Sequence, residues 1–285
     1  MQESEGSIRY VFTQAAAPTG EGEQAGSLWY DTTNKILSTY NGVSWEAVTS
    51  GSNFATATLK DATHQWDFND ALTDSIGSLT LSGTANYSAT AKFGTKSQDV
   101  NNATANALTH ATFLDAMTTD YGSTGFTICG FIRFDAVGAN MVFLDKNSDA
   151  NDAIRITLNG GTNKCDFKLA VGGVEVTLTP NQVCTTGVWY HFGFSVAANG
   201  DFIAVIDDVS ASDTSTFAAI PADDSSYDFT LGKYNKDNNE PLNGLLDSIV
   251  FYPYNLSASE LEDLGNRSSE DENQIQTITA VREVL

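Results

Sequence analysis

Three acidic, amide-rich stretches hold the densest chemistry in this chain: Asp67–Asp74, Asp145–Asp152 and Asn235–Glu240. Carboxylates, amides and carbonyls crowded into a loop suit a hard cation, calcium above all. Asp145, Asn147 and Asp149 begin an EF-hand register, but Ala150 stands where the sharp turn needs glycine and Ile156 where the bidentate glutamate belongs, so that match fails. The third stretch offers Asn235, Asp237 and Asn239 as hydrogen-bonding partners for sugar hydroxyls, beside Tyr234 as a stacking surface. Tyr121, Tyr227, Tyr252 and Tyr254 are further aromatic candidates. Acid–base catalysis is poorly served. Asp207 and Asp208 are adjacent, so a strand would point them to opposite faces. His64, His110 and His191 are scattered, with no neighbouring nucleophile and no His-x-x-x-His metal spacing. Cys129, Cys165 and Cys184 show no metal spacing, and an odd count argues against a complete disulfide framework. Cys129 lies in an apolar strand and reads as a small buried thiol. A bridge between Cys165 and Cys184 stays open.

The elements that must position these residues are strands. In Gly187–Ala211, Tyr190, Phe192, Phe194 and Val196 alternate with Trp189, His191, Gly193 and Ser195, the period-two signature of a half-buried strand. Ala198–Asp201 supplies a turn, and Phe202–Val209 returns as a second strand. Such a hairpin needs neighbours in its sheet and a second sheet against its apolar face. Gly125–Asp135 is apolar on both faces and is predicted to be central. Three amphipathic strands follow over Ile154–Leu158, Phe167–Val171 and Val174–Leu178, split by Asn159-Gly160-Gly161 and Gly172-Gly173 turns. Leu79–Ser82, Ser97–Val100, Tyr227–Lys233 and Gly244–Tyr252 are predicted strands, and Thr112–Thr118 a helical turn. Leu256-Ser257-Ala258-Ser259-Glu260-Leu261 predicts a capping box with a hydrophobic staple, and Gly265 a helix end.

Upstream, Met1–Ser27 reads as extended or turn structure. Leu28–Val48 reads as three short strands with a Trp29, Tyr40 and Trp45 cluster, too small a unit to bury much by itself. The expected organisation is a small β-module over 1–50, a linker over 51–62, an all-β sandwich over 63–267, and a tail over 268–285 that docks on a partner or sister subunit. With 36 acidic against 14 basic residues, the net charge is −22. That excludes a basic nucleic-acid stripe and disfavours anionic membranes. MQESEGSIRY lacks the apolar core of a secretory signal and no run is long enough to span a bilayer, so synthesis in the cytoplasm without membrane insertion is expected.

Trp189-Tyr190-His191, Ile206-Asp207-Asp208-Val209, the strand Gly125–Asp135, and Gly244–Tyr252 followed by the capped helix together resemble the laminin-G-like, concanavalin A-like jelly rolls. The resemblance covers roughly two hundred residues, one sandwich domain. It implies an antiparallel jelly-roll sandwich with a short C-terminal helix. It also implies a structural calcium near the first loop and closing strand, which by position falls on Asp74 and Asp247. Hydrolytic relatives of the fold carry a Glu-x-Asp-x-(x)-Glu strand that is missing here, so no enzymatic activity is expected. The segment Gly26-Ser27-Leu28-Trp29-Tyr30-Asp31-Thr32 through Tyr40-Asn41-Gly42 to Trp45 resembles a short β-module of tailed-bacteriophage fibre and virion proteins. That implies a virion structural protein, fibre, knob or decoration, among other virion proteins. It would be a homo-oligomer, with a trimer favoured, displaying a lectin-like domain toward host-surface glycans. The alternatives are a carbohydrate-binding adhesin without a virion role and a glycan depolymerase.

Overall fold

The computed structural model describes residues 11–14, 16–18, 28–31, 36–40, 43–47, 62–147, 151–236 and 239–266. The chain divides into two compact units, Met1–Ala57 and Thr58–Leu285.

Among the described residues, the first unit holds one four-stranded sheet of β1 (Val11–Gln14), β2 (Leu28–Asp31), β3 (Ile36–Tyr40) and β4 (Trp45–Ala47). The three strands expected after Leu28 are present, and β1 adds a fourth by pairing parallel to β2. The expected aromatic cluster forms: Trp45 lies 5.9 Å from Trp29, edge to face, and 5.3 Å from Tyr40, while its indole donates to the Pro18 carbonyl at 3.1 Å. Residues 32–35 and 41–42, between these strands, lie outside the described residues.

The second unit is a sandwich of two antiparallel sheets. Its elements are β5 (His64–Trp66), β6 (Tyr87–Ser88), β7 (Ser97–Asp99), β8 (Leu108–His110), α1 (Met117–Tyr121), β9 (Phe126–Phe134), β10 (Met141–Asn147), β11 (Ala153–Asn159), β12 (Lys164–Val171) and β13 (Val174–Leu178), then β14 (Trp189–Val196), β15 (Phe202–Ile206), β16 (Val209–Asp213), β17 (Phe229–Leu231), β18 (Gly244–Tyr252) and α2 (Ala258–Gly265). One sheet runs β13-β12-β11-β10-β17-β8; the other runs β16-β15-β14-β9-β18-β7-β6, with β5 also on β18. As expected from its two apolar faces, β9 is central, between β14 and β18. Gly172 and Gly173 both take positive φ, 57° and 85°, and close the two-residue β12–β13 hairpin, a conformation that glycine adopts without a Cβ penalty.

Between the sheets the core is aromatic. Phe143 of the six-stranded sheet meets Phe192 of the eight-stranded one edge to face at 5.3 Å, and Phe167 stacks on Phe194 at 6.0 Å. Each such pair adds about 0.5–1.5 kcal/mol beyond its buried area. Tyr190, Phe192, Phe194 and Val196 face this core as their alternation predicts. The opposite face of β14, however, is also buried, because α2 lies across it. A Cβ on Gly193 would meet Leu261 Cδ2 at 2.7 Å, so the missing side chain is what admits the helix. Ser195 donates to the Leu256 carbonyl at 2.7 Å and accepts the Leu256 N–H at 2.8 Å, which fixes the chain just before the helix. The capping box is complete: Ser257 Oγ accepts the Glu260 N–H, and Glu260 accepts the Ser257 N–H at 2.8 Å.

Four expectations shift. The strand expected over Phe202–Val209 ends at Ile206, because Asp207, at φ 48°, turns the chain into β16. Leu79–Ser82 makes only the single bridges Thr73–Thr80 and Ser82–Thr109. The helical turn expected over Thr112–Thr118 starts later, at Met117. The strand expected over Tyr227–Lys233 is trimmed to Phe229–Leu231, since Gly232 at φ 94° leaves the extended region. The tail 268–285 and nearly all of the linker lie outside the described residues.

Candidate functional site

The six-stranded sheet turns Ile154, Ile156, Leu158, Phe167 and Leu169 into the core, so its other face carries the intervening residues. Register aligns Thr230, Asp145, Arg155, Lys168 and Thr177 in one row across five strands. Arg155 and Asp145 are ten residues apart in the chain and directly paired in the sheet. Arg155 Nε donates to Asp145 Oδ1 at 2.8 Å, and the Asn235 backbone N–H donates to Asp145 Oδ2 at 3.0 Å. Asp145 is fully buried, and burial raises its carboxyl above the usual range against the pull of Arg155. Lys168 pairs with Glu175 beside them. In the next row, Asp166 accepts from Thr179 Oγ1 at 2.6 Å and from Asn159 Nδ2 at 3.0 Å.

One loop roofs this row. After Gly232 the chain lies over Asp145 and Arg155, and the Tyr234 N–H donates to the Asn239 carbonyl at 3.0 Å. The Arg155 guanidinium sits 3.9 Å from the Tyr234 ring centre. A planar cation against an aromatic face is a stiff, amphipathic surface, apolar across the ring and donor-rich at its edge. Thr230 Oγ1 ties the loop down by donating to the Lys233 and Asp145 carbonyls at 3.1 and 3.2 Å.

Of the sugar-contacting residues expected from sequence, Tyr234 and Asn235 stand on this face. The Asn235 side chain donates to the Asp228 carbonyl at 2.6 Å, so it holds the loop. Asn239 is exposed and pairs through its backbone; Asp237 lies outside the described residues. Arg155, Asp145 and Lys168 were not expected. The available signal was their place on the polar side of amphipathic strands.

Asp74 and Asp247 do not share a site. Asp74 Oδ1 accepts the Ile76 N–H at 3.1 Å and the Gly77 N–H, and Oδ2 meets the Leu79 N–H at 2.8 Å and His64 Nδ1 at 3.0 Å. Oxygens surrounded by donors do not fit a cation. Asp247, on β18, accepts the Lys92 and Phe93 N–H groups on Oδ2 at 2.7 and 3.1 Å, while its buried Oδ1 has no hydrogen-bond partner. Burial pushes the Asp247 carboxyl up to about 7, and the nearby charge of Asp67 adds to the rise. An orphaned carboxylate oxygen with a second carboxylate at hand does fit a hard cation. Among the described residues no three His, Cys, Asp or Glu side chains converge on one point, so the remaining ligands would be carbonyls or water. Asp207 and Asp208 are structural: Asp207 Oδ1 accepts the His191 N–H at 2.8 Å, and Asp208 accepts from Asn266 at 3.2 Å. Cys129 is buried, as its strand position predicts, and His191 is buried as well, because the end of α2 covers the face of β14 that its alternation leaves to solvent.

Against known families, a laminin-G model described as the concanavalin A-like lectin/glucanases superfamily matches residues 102–262, more than half of the chain. The chain belongs to this superfamily. No curated protein matches it. Among solved structures it is similar to domain 4 of AbnA, a GH43 extracellular arabinanase from Geobacillus stearothermophilus, in complex with arabinotriose. That match has 20% identity and TM-score 0.56, covering 72% of this chain and 98% of that one. The binding domain of Paraclostridial Mosquitocidal Protein 1 follows at 15% identity and TM-score 0.55, covering 73% of this chain and 52% of that one. The Botulinum Neurotoxin Type G receptor binding domain aligns at 13% identity and TM-score 0.52, with 72% and 50% covered. The chain thus spans about half the length of these two toxin domains. The shared property is the fold, a lectin-like jelly roll of the superfamily. Among the described residues no helix is long and apolar enough to cross a membrane.

Proposed function

We propose that this chain binds carbohydrate through the outer face of its six-stranded sheet, with Tyr234 and Arg155 at the centre, and that it does so as part of a tailed-phage virion. The observation that carries the reading is the Tyr234–Arg155 stack, held rigid by Asp145 and the tied-down loop on an otherwise polar sheet face. Sugars present an apolar face and a rim of hydroxyls, and a ring beside fixed donors answers both. The arabinotriose held by the AbnA domain supports sugars as the ligand class. The virion setting rests on the order Leu-Trp-Tyr-Asp-Thr to Tyr-Asn-Gly in the first unit. A carbohydrate-binding adhesin outside any particle would use the same face and lack particle association. The reading includes no catalysis: cleavage needs two carboxylates flanking the bond, whereas Asp145 is buried against Arg155 and Asp166 is engaged by Thr179 and Asn159. It includes calcium held at Asp247 with Asp67, in place of the pairing with Asp74, where the ion would neutralise buried charge.

The test is saturable binding of the labelled chain to intact host cells, competed by host polysaccharide. Tyr234→Ala is expected to weaken binding by about tenfold or more, the scale of a lost stacking contact. Undiminished binding by that variant would remove the site, and absence of the protein from purified particles would remove the virion role.

A further inference from the structure

We propose that Cys165 and Cys184 are the two halves of a disulfide that the protein closes in an oxidising environment. Both side chains are buried, at 0% and 1% exposure, and their sulfurs are 3.7 Å apart. Cys165 lies on β12 and faces the core; Cys184 lies in the 179–188 connection that carries the chain from one sheet to the other. The contact is not a chance approach of two mobile groups. The Cys184 N–H donates to the Asn163 carbonyl at 2.7 Å, which fixes its backbone beside the start of β12. On one side the connection is pinned by Lys164 Nζ donating to Asn181 Oδ1 at 2.6 Å. On the other, the Thr185 N–H donates to the Tyr190 hydroxyl at 2.9 Å. Bond formation asks that the sulfurs close from 3.7 Å to about 2.05 Å between two segments that these hydrogen bonds already hold side by side. Cys129 sits on β9 of the other sheet.

The oxidant is a small-molecule disulfide such as oxidised glutathione. One protein thiolate attacks it and releases one reduced thiol. The second protein thiolate then attacks the mixed disulfide and releases another. Two protein thiols lose two protons and two electrons, and one small disulfide becomes two thiols. The hydrogen bond with Cys184, and then burial, raises the Cys165 thiol. Exchange therefore happens while the core is still open, and the closed bond is afterwards shielded from reductant. The bond would staple the sheet-crossing connection to the sheet it leaves.

The experiment refolds the full chain from denaturant in oxidised and reduced glutathione, alkylates it under denaturing conditions and maps its peptides. A cross-linked peptide joining Cys165 to Cys184, with Cys129 alkylated, is expected. The oxidised form should resist unfolding on the order of a hundredfold more in equilibrium constant than the reduced form, the loop-entropy scale for a closure of this length. Cys184→Ala should erase that difference while Cys129→Ala keeps it. Three alkylated cysteines after oxidative refolding, a bridge that includes Cys129, or equal stability of both forms would overturn the proposal. Should Cys184→Ala fail to fold, peptide mapping of the unmodified sequence alone decides.

Discussion

At the scale of single residues, His110 makes a clear electrostatic prediction. Its Nδ1 accepts the Phe113 N–H at 3.0 Å and the Thr112 N–H at 3.3 Å, so the folded state needs that nitrogen unprotonated. Burial, then the proximity of His64, hold its pKa below the ordinary 6.5. A depressed folded pKa contributes stability above the unfolded value and loses it as pH falls through the folded one. The melting temperature should therefore drop as pH is lowered below about 6.5. His110→Asn, which keeps an acceptor and cannot titrate, should flatten that slope in thermal melts. Arg155 illustrates a different balance. Truncating it to alanine leaves the fully buried Asp145 without its cation, which typically costs about 3–5 kcal/mol. Arg155→Ala should thus lower the melting temperature as well as binding, whereas Tyr234→Ala should lower binding alone. At Asp247, calcium at millimolar concentration and pH 7.5 should raise the melting temperature, and Asp247→Asn should abolish the rise. An unchanged melt on adding calcium removes the ion from the proposal. Tyr234 was legible in the sequence as an aromatic in a polar loop. Its partners were not, because Asp145 and Arg155 meet only through the β10–β11 register, a property of the folded sheet rather than of spacing along the chain.

At the scale of elements, sequence was most legible where the signal is local. The α2 helix was readable because its N-terminus is a four-residue exchange of hydrogen bonds between Ser257 and Glu260. The Gly172-Gly173 hairpin was readable because two adjacent glycines suit a two-residue turn with positive φ at both positions. What failed was long-range. The alternation in β14 predicts one solvated face, but Gly193 and Ser195 serve as a seat for α2, some seventy residues later. Leu79–Ser82 has strand composition yet finds only isolated bridges. Two substitutions separate the contributions of the helix. Ser257→Ala should destabilise the sandwich by about 1 kcal/mol through the lost cap. Gly193→Val should cost roughly 1–3 kcal/mol by driving a side chain into Leu261. Because the two act on one helix, their sum should differ from the double variant, measurable in urea unfolding.

At the scale of the molecule, the chain joins a small unit and a large one, and their physics differ. The Thr58–Leu285 sandwich encloses an aromatic core between two sheets and holds the proposed ligand face within its own residues, so it should fold and bind alone. Among its described residues the Met1–Ala57 unit has one four-stranded sheet, and a unit of fewer than sixty residues buries too little surface to be robust in isolation. Self-association is the simplest source of additional burial, and the virion role proposed above would make it a trimer. If so, oligomerisation belongs to the small unit and recognition to the large one. Isolated Thr58–Leu285 should then sediment as a monomer and the full chain as a trimer, with the same affinity for a soluble monovalent oligosaccharide. On a cell surface the two should diverge. Three sandwiches linked in one trimer convert later contacts into intramolecular ones, a gain on the order of a hundredfold or more. Truncation should therefore release the protein from cells while leaving oligosaccharide titrations unchanged. If the truncated chain remains trimeric, the sandwich itself carries the contact. If the full chain is monomeric, the small unit has some other partner.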